Sequence, residues 1–138
     1  MEVTVIYPKT VQKGTHQTFR GGKMQVGGFA DLMRVFQYKI DKPMPDALDH
    51  VYHNWQNGVP GSTEEGAKRR DRSMSVGDVV MVEGRWFICD FIGWQEVPLE
   101  WALKWLVADL SGADRNMGPR FCVEQGRMPK PAVPFKQS

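Results

Sequence analysis

The sequence predicts an α+β fold: a small, mostly antiparallel sheet built on a central hairpin over about residues 76–92, with two helices packed on it over about 46–57 and 98–111. Three observations carry this expectation. Two runs rich in β-branched and aromatic residues, Val79-Val80-Met81-Val82 and Arg85-Trp86-Phe87-Ile88, flank the dipeptide Glu83-Gly84, and a two-residue loop with Gly second marks a type I′ hairpin. Leu48, Val51, Tyr52 and Trp55 recur at helical spacing behind Asp46. Leu99, Ala102, Leu103, Leu106, Val107 and Leu110 trace a second, wider helical face.

At the N-terminal end, Val3, Val5 and Tyr7 alternate with Glu2, Thr4 and Ile6, the period of a strand, which Pro8 ends. Lys9 to Gly28 shows little periodicity, and its paired glycines read as flexible punctuation. They do not form a phosphate loop, because no Gly-rich run leads into Lys-Ser or Lys-Thr at a helix start. Met33 to Ile40 alternates again and predicts a strand. Lys42-Pro43-Met44-Pro45 is a stiff connector, Asp46 can cap the helix that follows, and Asn57-Gly58 supplies its stop. Val59 to Asp71 is a loop by composition.

In Ser75-Val76-Gly77-Asp78 the third residue suits a type II turn, where positive φ is needed and only Gly adopts it cheaply. With Glu83-Gly84 as the next turn, Val82 faces Arg85, Met81 faces Trp86, Val80 faces Phe87 and Val79 faces Ile88. Val80 and Val82 then share one face, as do Phe87, Cys89 and Phe91, while Trp86, Ile88 and Ile92 line the other. Both faces are largely apolar, so the hairpin is central and covered on two sides. Pro98 suits a helix start, and Trp101 and Trp105, four apart, broaden the helical face behind it. That helix is either well buried or presents its Trp rings to a partner. Arg120 to Glu124 reads as a closing strand, and Met128 to Ser138, with Pro129, Pro131 and Pro134, as an extended or disordered tail. One domain over 1–127 with a Pro-rich tail over 128–138 follows.

The run Arg72-Ser73-Met74-Ser75-Val76-Gly77-Asp78-Val79-Val80, with Gly84, Trp86-Phe87 and Phe91-Ile92-Gly93-Trp94 after it, resembles the YodL-like family. The resemblance extends over about residues 1–97 and takes in the opening strand, Val35 to Ile40, and the helix around Leu48-Asp49-His50-Val51-Tyr52-His53-Asn54. It implies a module of bacteriophages, plasmids and other mobile elements, found alone or fused to DNA-processing proteins, with no assigned catalytic residues. The residues from about Val97 onward lie outside it.

Composition narrows the function classes. With 41% apolar and 25% charged residues in 138, the chain is globular and large enough for one core. Eighteen basic against sixteen acidic residues leave +2, spread along the chain, which gives no general electrostatic case for nucleic acid. Met1 to Tyr7 lacks the basic start of a signal peptide, and no run is long enough to span a membrane, so the expected setting is the host cytoplasm. Cys89 and Cys122 fit no metal spacing and read as small buried residues, with a single disulfide as the alternative. His50 and His53 share a helix face without a third ligand nearby, and Asp78 and Asp90 read as turn and strand-end residues rather than as an acid–base pair. No nucleophile carries a positioned base, so neither catalysis nor a cofactor or metal is predicted.

Two function classes remain. The first is a non-enzymatic binding protein that acts on a host protein, for example a defence or replication factor, through an aromatic surface for which Trp94, Trp101 and Trp105 are the candidates. The alternative is a nucleic-acid-associated accessory domain whose candidates are the cations Lys68, Arg69, Arg70 and Arg72.

Overall fold

A computed structural model of the chain describes residues 2–8, 17–20, 23–26, 34–44, 46–56 and 74–138, with the backbone alone at 17–20, 23–26, 34–36 and 38. Its strands are β1 (Glu2–Tyr7), β2 (Gln17–Arg20), β3 (Lys23–Val26), β4 (Arg34–Lys39), β5 (Val79–Val82), β6 (Arg85–Cys89), β7 (Trp94–Val97) and β8 (Lys136–Gln137). Its helices are α1 (Asp46–Asn54), α2 (Leu99–Val107), α3 (Gly112–Arg115) and α4 (Pro119–Glu124). Six strands form one sheet in the order β4-β1-β5-β6-β7-β8, every neighbouring pair antiparallel. The fold is α+β, as predicted.

The hairpin has the expected register, with Val79 opposite Ile88, Val80 opposite Phe87, Met81 opposite Trp86 and Val82 opposite Arg85. Glu83 (φ 51°) and Gly84 (φ 74°) both lie in the left-handed region that a type I′ turn requires. Upstream, the Asp78 N–H donates to the Ser75 carbonyl at 3.1 Å, closing the turn in which Gly77 takes φ 98°. The Asp78 carboxylate accepts the Ser75 N–H at 2.8 Å, so this side chain serves its own turn.

Both faces of the sheet are covered. On one, Val3, Val5 and Tyr7 of β1, Val80 and Val82 of β5, Phe87 and Cys89 of β6 and Trp94 of β7 pack with Ala47, Leu48 and Val51 of α1 and with Trp55. The Trp55 ring stands edge-on to Tyr7 at 6.0 Å. On the other, Ile6, Val79, Ile88 and Val97 pack with Trp101, Ala102, Trp105 and Leu106 of α2, joined by Leu110, Cys122 and Met128. Each fully buried aliphatic side chain contributes about 1.5–3 kcal/mol. Two covered faces explain why these strands carry apolar residues at successive positions instead of alternating. Cys89 and Cys122, both free thiols, belong to opposite faces, so the disulfide alternative is excluded.

In the third of the chain that follows Val97, Trp105 ties α2 to the turn before the hairpin and Arg115 ties α3 to α2. Trp105 Nε1 donates to the Gly77 carbonyl at 2.8 Å. Arg115, itself buried, donates from Nη1 to the Trp105 carbonyl at 2.6 Å and from Nη2 to the Ala108 carbonyl at 2.9 Å, at the C-terminal end of α2 where these carbonyls also accept the Ala108 and Leu110 N–H groups. A Cβ at Gly77 would meet the Arg115 carbonyl at 2.8 Å, so the turn needs Gly for its conformation and again for this approach.

The structure corrects four expectations. Arg120 to Glu124 is helical, part of α4, because Pro119 occupies its first turn with a φ suited to a helix. Met128 to Ser138 is docked: Met128 is buried, Phe135 stands edge-on to Trp101 at 4.7 Å, and β8 pairs with β7. The strand β6 stops at Cys89, and Ile92 faces solvent instead of lining the sheet with Trp86 and Ile88. Within the stretch read as unstructured, β2 and β3 pair as a separate two-stranded sheet on either side of Gly21-Gly22. The helix stop at Asn57-Gly58 and the loop over Val59 to Asp71 lie outside the described residues.

Candidate functional site

All three Trp candidates sit in the cores. Trp94, Trp101 and Trp105 are each 4% exposed or less, and Trp101 and Trp105 stack at 5.8 Å between α2 and the sheet. Their indole N–H groups are used internally, Trp101 donating to the Pro129 carbonyl at 2.7 Å and Trp105 to Gly77. Trp101 and Trp105 fill the layer beneath α2 and Trp94 the layer beneath α1, so all three rings are core. Lys68, Arg69, Arg70 and Arg72 lie outside the described residues.

The apolar surface is elsewhere. Between β6 and β7 the chain turns through Asp90-Phe91-Ile92-Gly93, held by the Asp90 N–H donating to the Gly93 carbonyl at 3.0 Å and by the Asp90 carboxylate accepting the Phe91 N–H at 2.8 Å. With the backbone satisfied in this way, the Phe91 and Ile92 side chains point out of the sheet. Phe91 is 66% exposed, Ile92 82% and Met117 40%, and all three line one groove of about 290 Å³. Phe121, Arg120 and Glu124 of α4 form its opposite wall, and Gln95 and Gln137 its floor.

Two further contacts set the position of the Asp90–Gly93 loop. The Asp90 carboxylate reaches the backbone at Gly118, just before α4, at the place a Cβ would occupy. On the floor, Gln95 Nε2 donates to Gln137 Oε1 at 2.7 Å while Gln137 Nε2 donates to the Ile92 carbonyl. The tail thus supplies part of the groove. Neither Phe91, Ile92 nor Met117 was singled out by the sequence as a contact residue; Asp90 and Gly93 bracketing Phe91-Ile92 was the signal that this pair leaves the strand.

The titratable side chains serve local structure. Burial pushes the Cys89 thiol up to about 12, with Asp78 and Asp90 adding to the shift, and burial together with Asp114 raises Cys122. Both are poor nucleophiles at neutral pH. Burial, Lys42 and His53 lower the pKa of His50, whose Nε2 lies 2.8 Å from the buried Asn54 amide. An imidazole with Nε2 accepting from that amide is neutral. Desolvation lowers Arg115 to about 10, and its Nε has no hydrogen-bond partner among the described residues. On the surface, Arg85 and Glu96 form a bidentate pair at 3.0 and 2.7 Å, which lowers the Glu96 pKa. Among the described residues no group of three His, Cys, Asp or Glu side chains could hold a metal, and no helix is long and apolar enough to cross a membrane.

Compared with models of protein families, with curated proteins and with solved structures, the chain finds no match in any of the three.

Proposed function

We propose that the chain is a non-enzymatic binding protein of a bacteriophage or other mobile element, and that it acts on a host protein in the host cytoplasm through the groove between the Asp90–Gly93 loop and α4. The observation that carries this reading is the juxtaposition of Phe91, Ile92 and Met117, all exposed, on one groove whose Asp90–Gly93 side is fixed by hydrogen bonds. A single exposed apolar residue is ordinary, but neighbours gathered at a concave site are the usual form of a contact surface. The mobile-element setting comes from the likeness of Arg72 to Val80 and Phe91 to Trp94 to the YodL-like family. The buried thiols and the turn-bound Asp78 support a role without catalysis.

Capture from host lysate with three forms of the chain tests the proposal. The unaltered protein and a Lys68→Ala/Arg69→Ala/Arg70→Ala variant should retain the same host protein. A Phe91→Ser/Ile92→Ser variant should bind it about 30-fold more weakly, the effect of losing about 2 kcal/mol at a hot spot. Affinity for duplex or single-stranded DNA at physiological salt, lost in the triple Ala variant, would overturn this reading in favour of nucleic-acid binding.

A further inference from the structure

The outer edge of β7 is covered by very little chain. Lys136 and Gln137 of β8 lie opposite Glu96 and Gln95, and Ser138 exchanges backbone hydrogen bonds with Trp94 at 3.0 and 2.8 Å. All three of these tail residues are exposed. Phe135, edge-on to Trp101, is their apolar anchor, and the stretch from Pro129 to Pro134 that leads to it is exposed apart from the half-buried Pro131. A strand this short, held along one side only, opens more readily than the sheet it joins.

One tail side chain reaches beyond the ladder. Gln95 is buried, and its Nε2 donates to Gln137 Oε1 at 2.7 Å, while Gln137 Nε2 donates to the Ile92 carbonyl. A primary amide carries an acceptor and donors on one planar group, and the Gln side chain places them at that reach from the neighbouring strand. A Cβ at Gly93 would meet Gln137 Nε2 and the Ser138 carbonyl, each at 2.7 Å, so Gly93 leaves room for the added strand. Phe135 and Gln137, two residues apart in extended chain, share one face, and Gln137 on that face lines the groove.

We infer that β8 stands in for a partner, and that the groove receives an extended peptide of the host protein, which displaces residues 136–138 and pairs antiparallel with residues 94–96 of β7. The inference rests on the groove being the contact site and adds the conformation and sequence of what it holds. Backbone pairing supplies affinity in such strand addition, and alternate side chains supply specificity. The incoming strand carries an aromatic residue at the place of Phe135 and Gln at the place of Gln137, because the buried Gln95 amide would otherwise lose its acceptor. Beyond the place of Ser138 it runs toward the Asp90–Gly93 loop. Its next side chain on the same face, about 7 Å past the Gln, is apolar and carried toward Phe91 and Ile92. Tail and partner compete for one edge, so the docked tail lowers the affinity of the site.

Amide exchange followed by NMR on the full chain, with a synthetic peptide of residues 131–138 as the probe, tests the inference. In a Phe135→Ala/Gln137→Ala variant the Trp94 N–H, which donates to Ser138, should exchange about tenfold faster, while the Cys89 N–H, which donates to the Asp78 carbonyl, keeps its protection. Adding the peptide at up to about 1 mM should restore protection at Trp94. Peptides altered by Phe135→Ala or Gln137→Leu should bind about tenfold more weakly. The same variant of the chain should capture the host protein about tenfold more tightly, the gain when a site open roughly one-tenth of the time is opened fully. Unchanged exchange at Trp94, no binding of the tail peptide, or equal binding of the altered peptides would overturn the inference. Host capture that Phe91→Ser/Ile92→Ser abolishes but the tail variant does not strengthen would overturn it too, and would leave the groove as the contact site. Peptide binding as described, with no host protein captured, would uphold the β7 edge as a strand site and overturn the reading of the groove as a host-protein site.

Discussion

Single residues in this chain are governed by which layer they enter. Cys89 is the clearest case, since β6 carries it into the layer beneath α1 and burial holds its pKa near 12. The unfolded thiol ionises near its ordinary value of 9.0. The folded pKa is therefore the higher one, and the associated stability is complete below pH 9 and is lost as pH rises toward 12. At pH 10 the loss is on the order of 1 kcal/mol. Urea midpoints should accordingly fall between pH 8 and pH 10, and the fall should be shallower in Cys89→Ala, whose lower starting stability does not affect the slope. Equal slopes would show that the thiol ionises in the folded protein as it does in the unfolded one.

At this scale the sequence was readable where a local rule fixes the conformation. Glu83-Gly84 and Gly77 take positive φ as their turn types demand, and register followed from the turn alone. It was unreadable where two environments share one signature: a Trp at helical spacing looks the same whether it fills a core or faces a partner, and only the second covered face of the sheet decides for Trp101 and Trp105.

Among the elements, α2 and α3 are coupled through Arg115. Its two terminal nitrogens satisfy the Trp105 and Ala108 carbonyls, and its guanidinium lies 5.0 Å from the Trp105 ring centre. Truncation would remove two charge-assisted hydrogen bonds from carbonyls that keep only their backbone donors, Ala108 and Leu110, and would leave a cavity, so Arg115→Ala should lower stability by about 3 kcal/mol in a urea melt. Arg115→Lys should recover less than half of that, because an ammonium cannot span both carbonyls and stack on the ring. A loss under about 1 kcal/mol for Arg115→Ala would mean that α2 is held by its apolar face alone. Nothing before Arg115 in the chain announces this contact, since the partners are carbonyls and carry no side-chain signature. The misreading of α4 has a related cause: Phe121-Cys122-Val123 suits a strand as well as a helix over so short a span, and Pro119 was the available discriminator. For the tail, the two residues of β8 are too few for a period, and β8 forms because β7 offers an open edge.

For the whole molecule, the two-sided packing separates what builds the fold from what remains for a partner. The cores absorb Trp, Cys and the alternating Val residues, and most of the large apolar side chains left exposed among the described residues lie at the groove and along α2, with Tyr52 and Val133 apart from them. Four strands of the sheet, β1, β4, β5 and β6, and both main helices could be read from periodicity and turn signals, whereas β7 and β8 could not. The groove could not, because Phe91, Met117 and Phe121 lie in separate elements and meet only once β7, α3 and α4 have packed.

The central claim is that Phe91 and Ile92 are held out of the fold and serve a partner. The most direct measurement is the unfolding free energy of Phe91→Ser and Ile92→Ser in urea, compared with the unaltered chain. Surface positions change stability by about 0.5 kcal/mol or less, and that is the predicted result for both. A loss of about 2 kcal/mol or more at either would contradict the account, because it would mean that the side chain is buried in the folded protein in solution.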